Sequence, residues 1–171
     1  GDGTATIAAT IVRGDYVLGA CGYGDGGTCL IKLVKDGGGV KAEEVWYKKS
    51  NELQNHHGGV VLLGEHLYMG HGSNQGFPVC VDFLTGKDAW RPGRGPGEGS
   101  AAIVCADGHL YFRYDNGEMA LIEATPKEYR LKGTFTIKTK HSSSWPHPVV
   151  LDGRLYLRDQ RNLHCYNIKK S

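Results

Sequence analysis

Gly64-Glu65-His66-Leu67-Tyr68 is a phrase that this chain writes four times. The other copies are Arg13-Gly14-Asp15-Tyr16-Val17, Gly108-His109-Leu110-Tyr111 and Gly153-Arg154-Leu155-Tyr156. A small-residue and apolar run precedes each: Ala8-Ala9-Thr10-Ile11-Val12, Gly59-Val60-Val61-Leu62-Leu63, Ala102-Ile103-Val104-Cys105 and Pro148-Val149-Val150-Leu151. Aligned on Val17, Tyr68, Tyr111 and Tyr156, the copies are 51, 43 and 45 residues apart. An apolar run, a glycine turn and a second apolar run make a β-hairpin. A hairpin recurring every roughly 40 to 50 residues is the mark of propeller blades.

Working outward, the chain divides into four units. Helical periodicity is almost absent, and short apolar runs alternate with Gly, Asp and Asn. The first unit covers 6–48, with strands predicted at 6–12, 16–21, 29–35 and 42–48 and a turn at Asp36-Gly37-Gly38-Gly39. The second covers 57–91 and the third 100–137, where strands are expected at 119–124 and 133–137 around the turn Thr125-Pro126-Lys127-Glu128-Tyr129. The fourth, 145–171, runs out after three strands, at Cys165-Tyr166-Asn167-Ile168. The prediction is an all-β chain: a single partial β-propeller domain of about three and a half to four four-stranded blades. Open edges invite pairing. They are expected to meet the remaining blades of a larger propeller, of which this would be the C-terminal part, or a second copy or another protein.

Bulk properties fit that reading. Gly accounts for 26 of 171 residues and Pro for six, which suits many tight turns and no collagen-like period. A formal net charge of +2 without a basic face gives no support to nucleic acid as a partner, and Lys169-Lys170 reads as a solvated terminus. No run approaches the roughly 18 apolar residues of a membrane span. The chain begins Gly1-Asp2-Gly3 without Met, so a targeting segment is expected to have been removed. Five cysteines cannot all pair internally, and their spacing is not that of a zinc site. Cys80, Cys105 and Cys165 lie in apolar strand patterns and read as small hydrophobes. Cys21 and Cys29 flank the glycine-rich tip 22–27 and are open to either pairing across it or standing free.

The second unit carries a motif. Asp82-Phe83-Leu84-Thr85-Gly86-Lys87-Asp88-Ala89-Trp90 resembles the blade signature of the pyrroloquinoline quinone (PQQ)-like propellers. Thr85-Gly86 would make the turn between third and fourth strands, and Trp90 would wedge between blades, with Trp46 at the matching place in the first. The runs 55–62, 123–126, 145–149 and 153–160 resemble the C-terminal blades of secreted PQQ-like propellers of planctomycete-type bacteria, and the likeness covers nearly all of 6–168. It implies a bacterial protein in the periplasm or outside the cell. Members include PQQ-binding-like and alcohol or polyvinyl-alcohol dehydrogenase-like proteins. Yet the repeat is structural and does not by itself imply the cofactor. Such dehydrogenases hold PQQ between a Trp and a disulfide of adjacent cysteines, with a metal such as calcium on carboxylates and an Asn. This chain has no adjacent cysteine pair and no matched acidic set, so PQQ with calcium enters by resemblance alone.

Candidate site residues follow from the repeat. The first strand of a blade, with the loop leading into it, lines the central channel. One column holds Thr6, His57, Ser100 and Trp145; two residues on, another holds Ala8, Gly59, Ala102 and His147. Asn55, His56, His57, Trp145 and His147 thus converge on one mouth of the channel, beside Arg158 and Asp159 in the turn after the second strand of the fourth unit. Two readings compete: imidazoles binding a metal or a small molecule, or imidazoles fixing backbone between blades. Adjacent residues on a strand point to opposite faces, so His56 and His57 are not expected to act together. Asp159 is expected to accept from Trp145 or pair with Arg158. His66, His109 and His164 read as outward, and His71 as a loop residue of either role. Ser142-Ser143-Ser144 beside His141 lacks the nucleophile-elbow pattern and reads as a linker. The leading expectation is a non-catalytic binding and interaction scaffold. The alternatives are a fragment of a quinoprotein dehydrogenase and a protein-docking propeller of the outer-membrane-assembly kind.

Overall fold

A computed structural model describes residues 4–137 and 144–169. They form fifteen strands and one short 3-10 turn, Ser73–Gln75. The first sheet orders β1 (Ile11–Arg13), β2 (Tyr16–Ala20), β3 (Gly27–Asp36) and β4 (Gly39–Lys49). The second orders β5 (Val60–Leu63), β6 (His66–His71), β7 (Phe77–Asp82) and β8 (Asp88–Trp90). The third orders β9 (Ala101–Ala106), β10 (His109–Tyr114), β11 (Glu118–Glu123) and β12 (Leu131–Thr136). The last has three strands, β13 (Val149–Leu151), β14 (Arg154–Asp159) and β15 (Asn162–Asn167). Every pairing is antiparallel between chain neighbours, so each sheet is a meander. Successive first strands approach one another, β5 and β13 both touching β9. Four meanders set side by side in chain order, not closed into a ring, are the blades of a partial β-propeller.

Two-residue turns make the repeated hairpins, in two chemistries. Gly14 and Gly64 hold φ of +57° and +59° at the first central position, while Asp15 and Glu65 do not turn left-handed, which is a type II′ turn. Asp107-Gly108 and Asp152-Gly153 have positive φ at both positions, a type I′ turn. The registers then pair Val61 with Tyr68, Val104 with Tyr111 and Val149 with Tyr156, but Ile11 with Leu18. Leu18, not Val17, is therefore the first-blade counterpart of the three tyrosines, and the channel columns shift by one there, from Thr6 and Ala8 to Ile7 and Ala9.

The first strand of the first blade is shorter than predicted. Residues 6–10 are irregular, and only Ile11–Arg13 pairs. Beyond Ala20 the chain turns into the glycine-rich tip, where Cys21 donates its N–H to Gly27 O at 2.8 Å. That register sets Cys29 opposite Gly19 rather than Cys21. Both cysteines are free, and the Cys21 thiol points to Ala5 O at 3.4 Å.

The cores lie between blades. Leu18, Leu30, Trp46, Leu67, Val79 and Phe83 join the first to the second. Tyr68, Trp90, Ile103, Leu110, Phe112 and Tyr114 join the second to the third. Among the described residues, Met119, Ile137, Leu155 and Leu157 are fully buried between the third and fourth. The indole N–H of Trp46 donates to Phe83 O (3.0 Å) and that of Trp90 to Thr125 O (2.7 Å), each crossing to the next blade. A buried aromatic of this size covers about 150–250 Å², worth at most about 4–6 kcal/mol. Within the turn, Asp82 Oδ1 accepts from the Thr85 amide (2.8 Å) and hydroxyl (2.7 Å). Gly86, at φ +67°, leaves room for Trp46: a Cβ there would lie 2.9 Å from its Cδ2.

Candidate binding site at the channel mouth

The loop leading into β5 builds the mouth. Asn55 is buried and fully committed to backbone: its Nδ2 donates to Gly70 O (3.1 Å) and its Oδ1 accepts from Gly59 N (3.0 Å). His71, at the end of β6, is buried too, its Nδ1 accepting from Gln54 N at 3.0 Å. Both side chains bond backbone and shape the loop. The loop presses so close to β9 that a Cβ on Gly58 would sit 1.6 Å from Ala101 O.

Because 55–59 is irregular rather than extended, the alternation expected of His56 and His57 fails. Their rings lie side by side, 4.1 Å between centroids. Tyr23, from the tip of the first blade, packs edge-on to His56 at 4.8 Å, and Trp145 tilts over His57 at 4.9 Å. Four rings thus run across the mouth from the first blade through the second to the fourth. His147 Nε2 lies 3.1 Å from His57 O, so its N–H donates to that carbonyl. Gly59, at φ +77°, accepts this imidazole against its backbone, where a Cβ would come 2.8 Å from His147 Cε1.

Below the row opens a pocket of about 500 Å³ lined by His56, Ser73, Asn74, Glu98, Asp115 and Trp145, among others. Ser100 stands behind it, its Oγ 2.5 Å from His56 Nδ1 and 3.2 Å from Asn74 Oδ1. Asp115 Oδ2 accepts from Ser100 N (3.2 Å), and the carboxylate also takes the Trp145 indole N–H. Asp115, not Asp159, is therefore the partner of Trp145. Asp115 binds the Ser100 amide rather than ordering the imidazole, so serine, histidine and aspartate here do not form a nucleophilic relay. Among the described residues no three of His, Cys, Asp and Glu come together to hold a metal ion. All five cysteines are free.

Arg158 and Asp159 lie within β14 rather than in the turn after it. Arg158 is exposed and caps the Gln160 carbonyl (Nε to O 3.1 Å), and it lines an outer cleft with Trp145 and Pro146. Asp159 is buried 4.0 Å from the equally buried guanidinium of Arg113, not paired with Arg158. Arg113 donates to Pro146 O (2.9 Å) and Ser144 Oγ (2.5 Å), so it grips the loop that carries Trp145 and His147. A charged residue inside the apolar strand Phe112-Arg113-Tyr114 was the available signal for it; for Tyr23 and Asp115, outside the repeat, there was none. His66, His109 and His164 are half-buried and stand apart from the mouth. His141, Ser142 and Ser143 lie outside the described residues, while Ser144 holds Arg113.

Burial sets the charge of the mouth. Desolvation, with the neighbouring His56 and His147, lowers the His57 pKa to about 4. Desolvation also lowers His56 and His71 and raises Asp115. Near neutral pH the imidazoles of the row are uncharged, offering ring faces and neutral hydrogen bonds beside the carboxylates.

No family model matches the chain, and no curated protein sequence matches it. Solved structures do. BamB from Moraxella catarrhalis superposes with a TM-score of 0.66 at 12% identity, covering 92% of this chain and 41% of BamB. The computationally designed Ika4 protein gives 0.62 at 11%, covering 97% and 93%. Apo AztD from Citrobacter koseri gives 0.51 at 15%, covering 96% and 45%. The chain thus spans less than half the length of BamB and AztD. At these identities the likeness shows the fold, a β-propeller, and nothing finer. Among the described residues no helix is long and apolar enough to cross a membrane.

Proposed function

We propose that the chain is a non-catalytic binding and interaction scaffold, part of a larger propeller assembly, with the channel mouth as its contact point. The observation that carries this reading is the row Tyr23–His56–His57–Trp145. Three blades contribute to it, its imidazoles are uncharged, and Trp145 remains 53% exposed over the pocket that Asp115 and Glu98 line. An exposed indole above carboxylates suits an amine-bearing or otherwise cationic group on a small molecule or a protein side chain. A second observation supports a polypeptide partner: in the described residues β15 pairs only with β14, and its Leu163 is 68% exposed. Such an edge is completed by a strand from further blades, a second copy or another protein. A bacterial, periplasmic or extracellular setting belongs to this proposal.

The test joins two assays. Light scattering after size exclusion, run over a range of concentrations, is expected to show self-association through the open edges. Dye-linked oxidation of a primary alcohol, with PQQ and calcium supplied, is expected to stay at the protein-free rate. Turnover there would replace the scaffold reading with a quinoprotein one.

A further inference from the structure

The junction between the third and fourth blades lacks a part that the other two junctions have. In β4, β8 and β12 the strand carries a bulge at the same place, and the residue just past it pairs with the middle of the third strand. These pairs are Trp46 with Leu30, Trp90 with Cys80, and Gly133 with Leu121. Gly133 thus stands where the other outer strands carry the tryptophan that wedges into the next blade. A Cβ on Gly133 would meet nothing within 4 Å. The space opens as a cleft of about 570 Å³, lined by Tyr111, Met119, Phe135, Leu155, Tyr166 and Ile168 with Gly133 itself. Phe135 and Tyr166 bridge its two walls, 5.0 Å between ring centroids. Ile168 is the fourth-blade counterpart of Phe83, whose carbonyl receives the Trp46 indole: Phe83 N donates to Glu65 O and Ile168 N to Gly153 O, both in the first hairpin turn of their blade.

We propose that this cleft is a binding site for a small, planar, indole-sized aromatic molecule. Its size falls in the range of small-molecule pockets, and its walls are apolar and aromatic with backbone at the rim. The other two junctions show what shape fits: an indole, its ring between blades and its N–H on a carbonyl of the next. The occupant is a free molecule rather than a side chain added by strand pairing, because the place in the sheet that would present the tryptophan is already filled by Gly133. A space of this kind, left open among the described residues and lined by apolar groups, takes up aromatic solutes. The site lies apart from the mouth and does not depend on the scaffold reading.

The experiment is an NMR titration of the ¹⁵N-labelled chain with indole. The expected result is saturable shifts at Gly133, Leu155, Tyr166 and Ile168. Gly133→Trp, which supplies the missing ring in cis, is expected to weaken indole binding by more than about tenfold. Gly133→Ala, which adds one methyl to open space, is expected to leave it within about threefold. Shifts confined to the mouth, equal affinity for cyclohexanol, or unchanged indole affinity in a folded Gly133→Trp would each overturn the proposal. Should that variant fail to fold, the wild-type shift map alone decides.

Discussion

Replacing Asp159 with Asn removes one charge from a buried pair and almost nothing of its shape. Arg113 and Asp159 have side chains 0% and 1% exposed and stand 4.0 Å apart. At an effective dielectric constant of about 20, charges at that distance attract by about 4 kcal/mol. Burial pulls the Arg113 pKa down, while Asp159 first and then Asp115 pull it back up. In Asp159→Asn the guanidinium keeps its bonds to Pro146 O and Ser144 Oγ but loses its nearest counter-charge. Breaking a buried pair from one side costs about 3–5 kcal/mol. The surviving bonds and Asp115 place this case at the low end, near about 3 kcal/mol. Replacing both partners with apolar residues, Arg113→Met with Asp159→Leu, leaves no orphaned charge and is expected to cost less than Asp159→Asn alone. Urea unfolding followed by circular dichroism reads each value from the midpoint at constant slope. A cost below about 0.5 kcal/mol for Asp159→Asn, or a double variant costing the sum of the two singles, would refute the assignment of this pair as the clamp on the 144–147 loop.

Two further outcomes are expected. The His57 pKa falls from 6.5 in the unfolded chain to about 4 in the folded one, so between those values the unfolded state binds more protons and stability declines as pH falls. For a ring that remains partly exposed the loss is discounted to about 1 kcal/mol, and His57→Asn is expected to flatten that slope in urea melts at pH 7, 6 and 5. Gly86→Ala sets a methyl 2.9 Å from Trp46 Cδ2 at φ +67°, whereas Gly37→Ala, at φ +57°, meets open space. The first is expected to cost about 3 kcal/mol and the second about 1, by thermal or urea melts, and equal costs would remove Trp46 as the reason for the glycine.

The hairpins were legible because a β-turn of two residues needs glycine or aspartate at fixed places, and the flanking strands need apolar residues every second position. The same chemistry misled the first alignment. Glycine stands first in the turns at Gly14 and Gly64 but second at Gly108 and Gly153, so matching on glycine slips the register by one. Residues 6–10 were read as strand because they are small and apolar, and His56-His57 because an apolar run follows them, yet the geometry of 55–59 is set by Asn55 and by contact with β9, which one blade's sequence cannot show. Convergence of His57, Trp145 and His147 followed from counting back along equivalent strands. Tyr23 and Asp115 did not, since they come from a tip and a turn that differ between blades. The place of Gly133 emerges only from the bulge register.

His147 bonds His57 across a separation of 90 residues, while every strand pair among the described residues joins neighbours in the chain. Closing a loop of that length costs about 4 kcal/mol of chain entropy beyond a constant, and nothing at the mouth returns it until the second and fourth blades are both in place. Local hairpins can form early and independently. The mouth cannot: in folding it is a late event, and its ligand, if added during refolding, acts on the last step rather than the first.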